Sequence, residues 1–202
     1  EHVVDSVAQG DEIRWLQATP AARGMLHRWM VENVPPQRRI VSITLRDSSL
    51  QQARNSNLEA WYRFIEKLDR QRYFPVVIPD TEKALQPSAF KDIACIFTEA
   101  AFNLDLRLAL YETSHVNLGV ANGPTHLWVF SRTCRYLMFK QIVNDYSHSS
   151  AESFLRRRLE IGGAFPGAGP FQRLVWHDDT WQTIRSFFEQ FCAEIETETG
   201  TP

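Results

Sequence analysis

Five short apolar runs, spaced by segments long enough for a helix, constrain this chain more than any other feature. They are IVSITL at 40–45, FPVVI at 74–78, IACIF at 93–97, VNLGV at 116–120 and YLMF at 136–139. Each run is nearly continuous in apolar residues and does not alternate with polar ones. Both faces of such a strand must be covered, which is the habit of parallel strands in βαβ units. The intervening segments carry helical spacing. Leu58, Trp61, Tyr62, Ile65 and Leu68 mark one helix face, and Leu104, Leu108 and Tyr111 another.

Punctuation residues support the same reading. Pro20 can open a helix that carries Met25, Trp29, Met30 and Val34 and stops at Pro35-Pro36. Ser56 or Asn57 suits the N-cap of the helix beginning at Leu58, and Ser149-x-x-Glu152 has the spacing of a capping box. Asp178 or Asp179 would cap the last helix, with Trp181, Ile184, Phe188, Phe191 and Ile195. Gly162–Pro170 reads as a loop. The fold class predicted is α/β: a Rossmann-like three-layer α/β/α domain whose mostly parallel sheet has about five strands. Residues 1–37 form an arm and helix that could link to an N-terminal lobe outside this chain; residues 38–202 form the domain.

Bulk properties narrow the function. The 202 residues are 44% hydrophobic and 23% charged, an ordinary globular composition. A net charge of -2 argues against a nucleic-acid or anionic-membrane binder. Three widely separated cysteines argue against a disulfide framework or zinc ribbon and point to reduced thiols and a cytoplasmic setting. No run approaches the roughly 20 apolar residues of a membrane span. The chain has no GxxxxGK[ST], no GxGxxG after the first strand, no GxSxG and no HExxH. Six scattered histidines suggest no metal site.

Ligands of parallel sheets bind beyond the carboxyl ends of the strands. Three loops of this chain fall there. The first holds Arg46, Arg54 and Asn55, the second Asp80 and Glu82, and the third Asn122, Gly123, Pro124, Thr125 and His126. A helix opening at Pro124 would offer free N–H groups at Thr125 and His126 to an anion, with Gly123 leaving room for a phosphate. Arg46 or Arg54 would add charge, and Asp80 or Glu82 could accept from ribose hydroxyls. Plainer readings stand beside these. Gly-Pro can be a simple turn, the arginines solvated, Asn55 a helix cap, Asp80 a turn residue and His126 a core histidine.

Asn122-Gly123-Pro124-Thr125-His126-Leu127 resembles a motif of GT-B glycosyltransferases, in the nucleotide-sugar-binding C-terminal half of the heptosyltransferase type. The family pattern is Asp, Ser or Thr, Gly, Pro, any residue, His, Leu. Gly123, Pro124, His126 and Leu127 match; Asn122 replaces the Ser or Thr, and Ala121 replaces the Asp. The resemblance spans about residues 38–195. It implies a nucleotide-sugar donor whose diphosphate meets Asn122, Gly123, Thr125 and His126, transfer to a glycan, lipid or protein acceptor, and no metal or other cofactor. It also implies an N-terminal lobe carrying the acceptor site and the catalytic base, neither of which this sequence identifies. The rival readings are a non-catalytic binding module on the same fold, or a nucleotide-sugar epimerase-like protein.

Overall fold

The computed structural model describes residues 2–143 and 145–200. Its centre is a sheet of six strands, all parallel: β1 (Arg39–Thr44), β2 (Tyr73–Ile78), β3 (Cys95–Ile96), β4 (Val116–Val120), β5 (Tyr136–Phe139) and β6 (Gln172–Leu174). Their order is β3-β2-β1-β4-β5-β6. The five predicted strands are present and the sixth, β6, is additional. Its QRL sequence has no apolar run to betray it. Gln172 is buried there, and its amide donates to the carbonyls of Ser131 at 2.7 Å and Cys134 at 3.1 Å.

Eight α-helices are formed among the described residues: α1 (His2–Ala8), α2 (Pro20–Asn33), α3 (Leu58–Lys67), α4 (Glu99–Phe102), α5 (Leu104–Thr113), α6 (His126–Val129), α7 (Ala151–Arg156) and α8 (Trp181–Thr199). Part of the arm predicted at the N-terminus is helical, as α1, and α4 is an unpredicted single turn. Asn57 caps α3 as expected, accepting from the Ala60 N–H at 3.2 Å. Two predicted caps shift by a residue or two. Ser150, not Ser149, accepts from the Ser153 N–H, and Thr180, not Asp178 or Asp179, caps α8. Asp179 is unavailable because it faces inward and accepts from the Asn57 N–H and the Trp61 indole.

The strand periodicity explains both cores. Val41, Ile43, Val77, Leu118 and Phe139 point to one face, against Trp61 and Ile65 of α3 and Phe188 and Ile195 of α8. Ile40, Val76, Ile78, Tyr136 and Met138 point to the other, against Leu26 of α2, Tyr111 of α5 and Trp128 of α6. Each fully buried side chain of this size contributes roughly 1.5–3 kcal/mol relative to exposure. Continuous apolar strands are therefore what a sheet covered on both sides requires.

Winding reverses between β1 and β4, which pair in register Ser42↔Asn117 and Thr44↔Gly119. At this junction Ser42 donates to Asn117 Oδ1 at 2.5 Å, while the Asn117 amide donates to the carbonyls of Tyr111 and Arg135, both at 2.9 Å. Gly119 permits the close approach. A Cβ there would stand 2.6 Å from the Thr44 carbonyl oxygen and 3.2 Å from the Trp128 ring. The carboxyl ends of β1 and β4, where their loops part, form the crevice at which doubly wound sheets bind ligands.

Candidate functional site

The loop after β1 holds its shape through Arg46. This side chain is 8% exposed, and its guanidinium donates to the carbonyls of Leu50 at 2.7 Å and Gln51 at 3.3 Å and to Asn55 Oδ1. Burial and the nearby Arg54 charge lower its pKa. The Asn55 amide donates to the Ser48 carbonyl at 2.9 Å. Arg46, predicted to hold a donor phosphate, and Asn55, predicted to line the donor site, spend these groups on their own loop. Burying a guanidinium demands such partners.

Arg54 behaves differently. One terminal nitrogen donates to Gln51 Oε1 at 2.9 Å, and the other spans the crevice to the Ala121 carbonyl at 3.3 Å. Its guanidinium lies 4.6 Å from the centre of the Tyr146 ring. Asp80 and Glu82 tie the loop after β2 to the loop after β1. Asp80 accepts from the N–H groups of Asp47 at 3.2 Å and Glu82 at 3.0 Å. Glu82 accepts from the Ser49 N–H at 2.9 Å, and the bonds from Ser49 and Ser48 hold its carboxyl below the usual range.

The turn after β4 closes on itself. Thr125 is fully buried; its N–H donates to Asn122 Oδ1 at 3.1 Å, and its hydroxyl donates to the Asn122 carbonyl at 2.8 Å. The His126 N–H donates to the Gly123 carbonyl at 3.2 Å. The two N–H groups predicted to be free for an anion are therefore occupied, because an Asx-type turn satisfies them before the four-residue helix α6 begins. His126 Nδ1 faces the carbonyls of Asn122 at 3.2 Å and Gly123 at 3.0 Å. Carbonyls only accept, so Nδ1 is the donor in these contacts. Gly123 is exposed, and a Cβ there would meet nothing within 4 Å.

This turn is a wedge between two cavities. On one side is a space of 390 Å³, mostly apolar, whose walls include Arg54, His126, Tyr146, Phe165 and Trp176. On the other is a space of 190 Å³ bounded by Thr44, Arg46, Asp80 and Arg107. Asn122 and Gly123 line both. A 630 Å³ groove between α3 and α8 is larger, but it reaches Asp69 and Tyr73 at the amino end of β2, away from the crevice. Of the predicted residues, Arg54, Asn122, Gly123, Thr125 and His126 line the 390 Å³ cavity; Arg46, Asp80, Asn122, Gly123 and Pro124 line the 190 Å³ cavity. Glu82 and Asn55 line neither and support the loops.

Three residues were not anticipated. Arg107 lies between Leu106 and the apolar run Leu108, Ala109, Leu110, on the inward side of a helix whose other early charge, Asp105, faces out to Thr19; a charge in so apolar a setting was the available signal. Tyr146 underlies Arg54. Lys140 donates to the Asn55 carbonyl at 2.8 Å, joining the end of β5 to the loop after β1. Among the described residues no cluster of three or more His, Cys, Asp or Glu side chains could hold a metal ion, and no helix is long and apolar enough to cross a membrane.

No protein-family profile matches this chain, and no curated protein matches it. Solved structures do. The glycosyl transferase family 9 protein of Veillonella parvula DSM 2008 superposes with a TM-score of 0.60 at 9% identity, over 89% of this chain and 53% of that one. The ADP-heptose LPS heptosyltransferase II of E. coli gives 0.57 at 10% identity, over 90% of this chain and 54% of that one. The chain thus spans about half the length of each. At such identity the likeness is one of fold: the six-stranded Rossmann-like architecture of this chain is similar to about half of each of these two proteins.

Proposed function

We propose that this chain is the donor-binding part of a GT-B-type glycosyltransferase and takes a nucleoside diphosphate sugar at the carboxyl ends of β1 and β4. The observation that carries this reading is the Asn122-Gly123 wedge between two cavities, with Arg54 reaching across the crevice beside it. The 390 Å³ space suits a nucleoside, because aromatic walls favour a base and a few convergent polar groups orient it. The diphosphate would cross the open face of Gly123, with Arg54 as its charge partner. As the donor bond breaks, negative charge grows on the departing diphosphate. A preplaced guanidinium stabilises that charge without reorganising.

The match to only 53–54% of each of the two solved structures supports a bilobed enzyme in which another lobe would supply the acceptor site and catalytic base. Residues 1–37 would then be the arm and helix leading from that lobe, and the free Cys95, Cys134 and Cys192 agree with a cytoplasmic setting. No metal enters this proposal. A non-catalytic binding module is the second reading, favoured by Ala121 at the place of the family's acid.

A thermal-shift titration with UDP, GDP, ADP, CMP and TDP tests the first reading. Ligand at 100 times its Kd should add about 2.7 kcal/mol to stability. A selective shift with one nucleotide establishes the pocket and names the base. No shift with any of them sinks nucleotide binding by this chain and leaves the second reading.

A further inference from the structure

We propose that the 190 Å³ cavity is a phosphoryl-binding subsite centred on Arg107. This side chain, on α5, is 2% exposed and lines the cavity. Its Nε donates to the Ala100 carbonyl at 2.5 Å. Among the described residues its two terminal nitrogens make no hydrogen bond to protein, and no carboxylate forms an ion pair with it. A nearly buried charge without a counter-charge at the wall of a cavity leaves its donors to solvent or to an anion that arrives from outside, and burial makes the anion the better partner.

A second buried donor faces the same space. Asn122 is 8% exposed and lines the cavity. Its Oδ1 accepts from the Thr125 N–H, which fixes the orientation of the amide; Nδ2 has no acceptor among the described residues. The other polar walls are already occupied. Thr44 Oγ1 shares a 2.7 Å hydrogen bond with the Tyr111 hydroxyl. Thr81 donates to the Ala101 carbonyl at 3.2 Å, and the Ser48 hydroxyl accepts from the Leu50 N–H at 3.1 Å and bonds to the Glu82 carboxyl. The Asp80 carboxylate accepts from Asp47 and Glu82, and the Arg46 guanidinium is turned into its own loop. One cationic fork and one amide donor are left, which is the set a tetrahedral oxyanion accepts from.

The subsite goes beyond the nucleotide reading and stands without it. A phosphoryl group could arrive as free phosphate or pyrophosphate, or as the phosphates of a ligand whose body fills the 390 Å³ cavity. Asn122 and Gly123 border both spaces, so one diphosphate could reach Arg107 from the larger cavity.

The experiment is a calorimetric titration at matched ionic strength with inorganic phosphate, pyrophosphate and the nucleoside diphosphates. The proteins are the wild type, Arg107→Gln, Arg107→Lys and Gly123→Asp, each checked for folding by circular dichroism. Pyrophosphate should bind the wild type, at least tenfold more weakly to Arg107→Gln, and with partial recovery in Arg107→Lys. The Nε–H resonance of Arg107 should move as pyrophosphate is added to the wild type. If the buried substitutions fail to fold, that resonance and Gly123→Asp still decide. A Cβ at residue 123 has open space, and a carboxylate there should repel the anion at least tenfold. Unchanged pyrophosphate affinity in folded Arg107→Gln overturns the subsite, as does a wild type that binds neither phosphate nor pyrophosphate. Pyrophosphate binding without nucleotide binding keeps the subsite and identifies a free anion as its source. Tighter nucleotide binding that is lost in Arg107→Gln identifies the diphosphate of a nucleotide.

Discussion

The carboxylate of Asp179 accepts the indole N–H of Trp61 at 2.8 Å, and the same oxygen accepts the Asn57 N–H at 2.7 Å. One side chain thereby anchors the start of α3 to the segment before α8. Burial raises its pKa above the ordinary 3.8, against the bonds from Asn57 and Trp61, which lower it. Asp179→Ala strands the buried Trp61 indole N–H and frees the partly exposed Asn57 N–H to water, and urea unfolding should show a loss of about 1–3 kcal/mol, the cost of one orphaned buried donor. Asp179→Asn keeps an acceptor and should lose less. The raised folded pKa sets the sign of the pH effect. The protonated carboxyl contributes stability that is full below the ordinary pKa and lost as pH rises through the folded value. The wild type should therefore lose stability relative to Asp179→Asn as pH climbs above about 4.

His115 gives the opposite pH response. Burial, then the charges of Arg39 and Arg135, push its pKa from 6.5 down to about 4. Its Nε2 is buried without a partner. The unfolded chain takes up this proton first, so stability should fall as pH drops from 6.5 toward 4, by on the order of 2 kcal/mol. His115→Gln should flatten that limb of a stability-pH profile; an unchanged limb would assign it to other groups.

Two glycines should separate packing from binding. Gly119→Ala drives a methyl into the Thr44 carbonyl and the Trp128 ring, and overpacking of this kind costs about 1–3 kcal/mol. Gly123→Ala meets open space and should melt within a degree or two of the wild type. Equal melting temperatures for both variants would contradict the close approach of β1 and β4.

Arg54→Met keeps an apolar side chain at this position while removing the charge beside the larger cavity and the guanidinium's contact with the Tyr146 ring. Affinity for the nucleotide that stabilises the wild type should fall about tenfold, or about 1.4 kcal/mol. Unfolding by urea should change little, because the guanidinium's bonds to Gln51 and Ala121 are at a partly exposed site.

The layers of the fold were legible because they rest on apolar periodicity. Val41 and Ile43 face one core and Ile40 the other, as in a sheet covered on both sides. Strand β6 was not legible, since Gln172 is buried by hydrogen bonds instead of apolar contact. The crevice loops were found from strand order and turn residues. Which side chains in them remain available was not, because that depends on how each loop folds back on itself and on what stands across the crevice. Arg46 and Arg54 look alike in the chain, yet one is turned into its loop and the other reaches Ala121. Thr180 displaced Asp179 as the α8 cap for the same reason: Trp61, 118 residues away, had a use for the acid.

The bond between Ser42 and Asn117 has a mechanical consequence. It sits where the two oppositely wound halves of the sheet meet, and Asn117 is also fastened to the end of α5 and to the residue before β5. A one-residue slip would turn all these groups to the wrong face. The halves are thus indexed like meshed gears and behave as a single plate. Any widening that admits a ligand falls to the crevice loops, whose ties across the gap are the thin ones, Arg54 to Ala121 and Lys140 to Asn55.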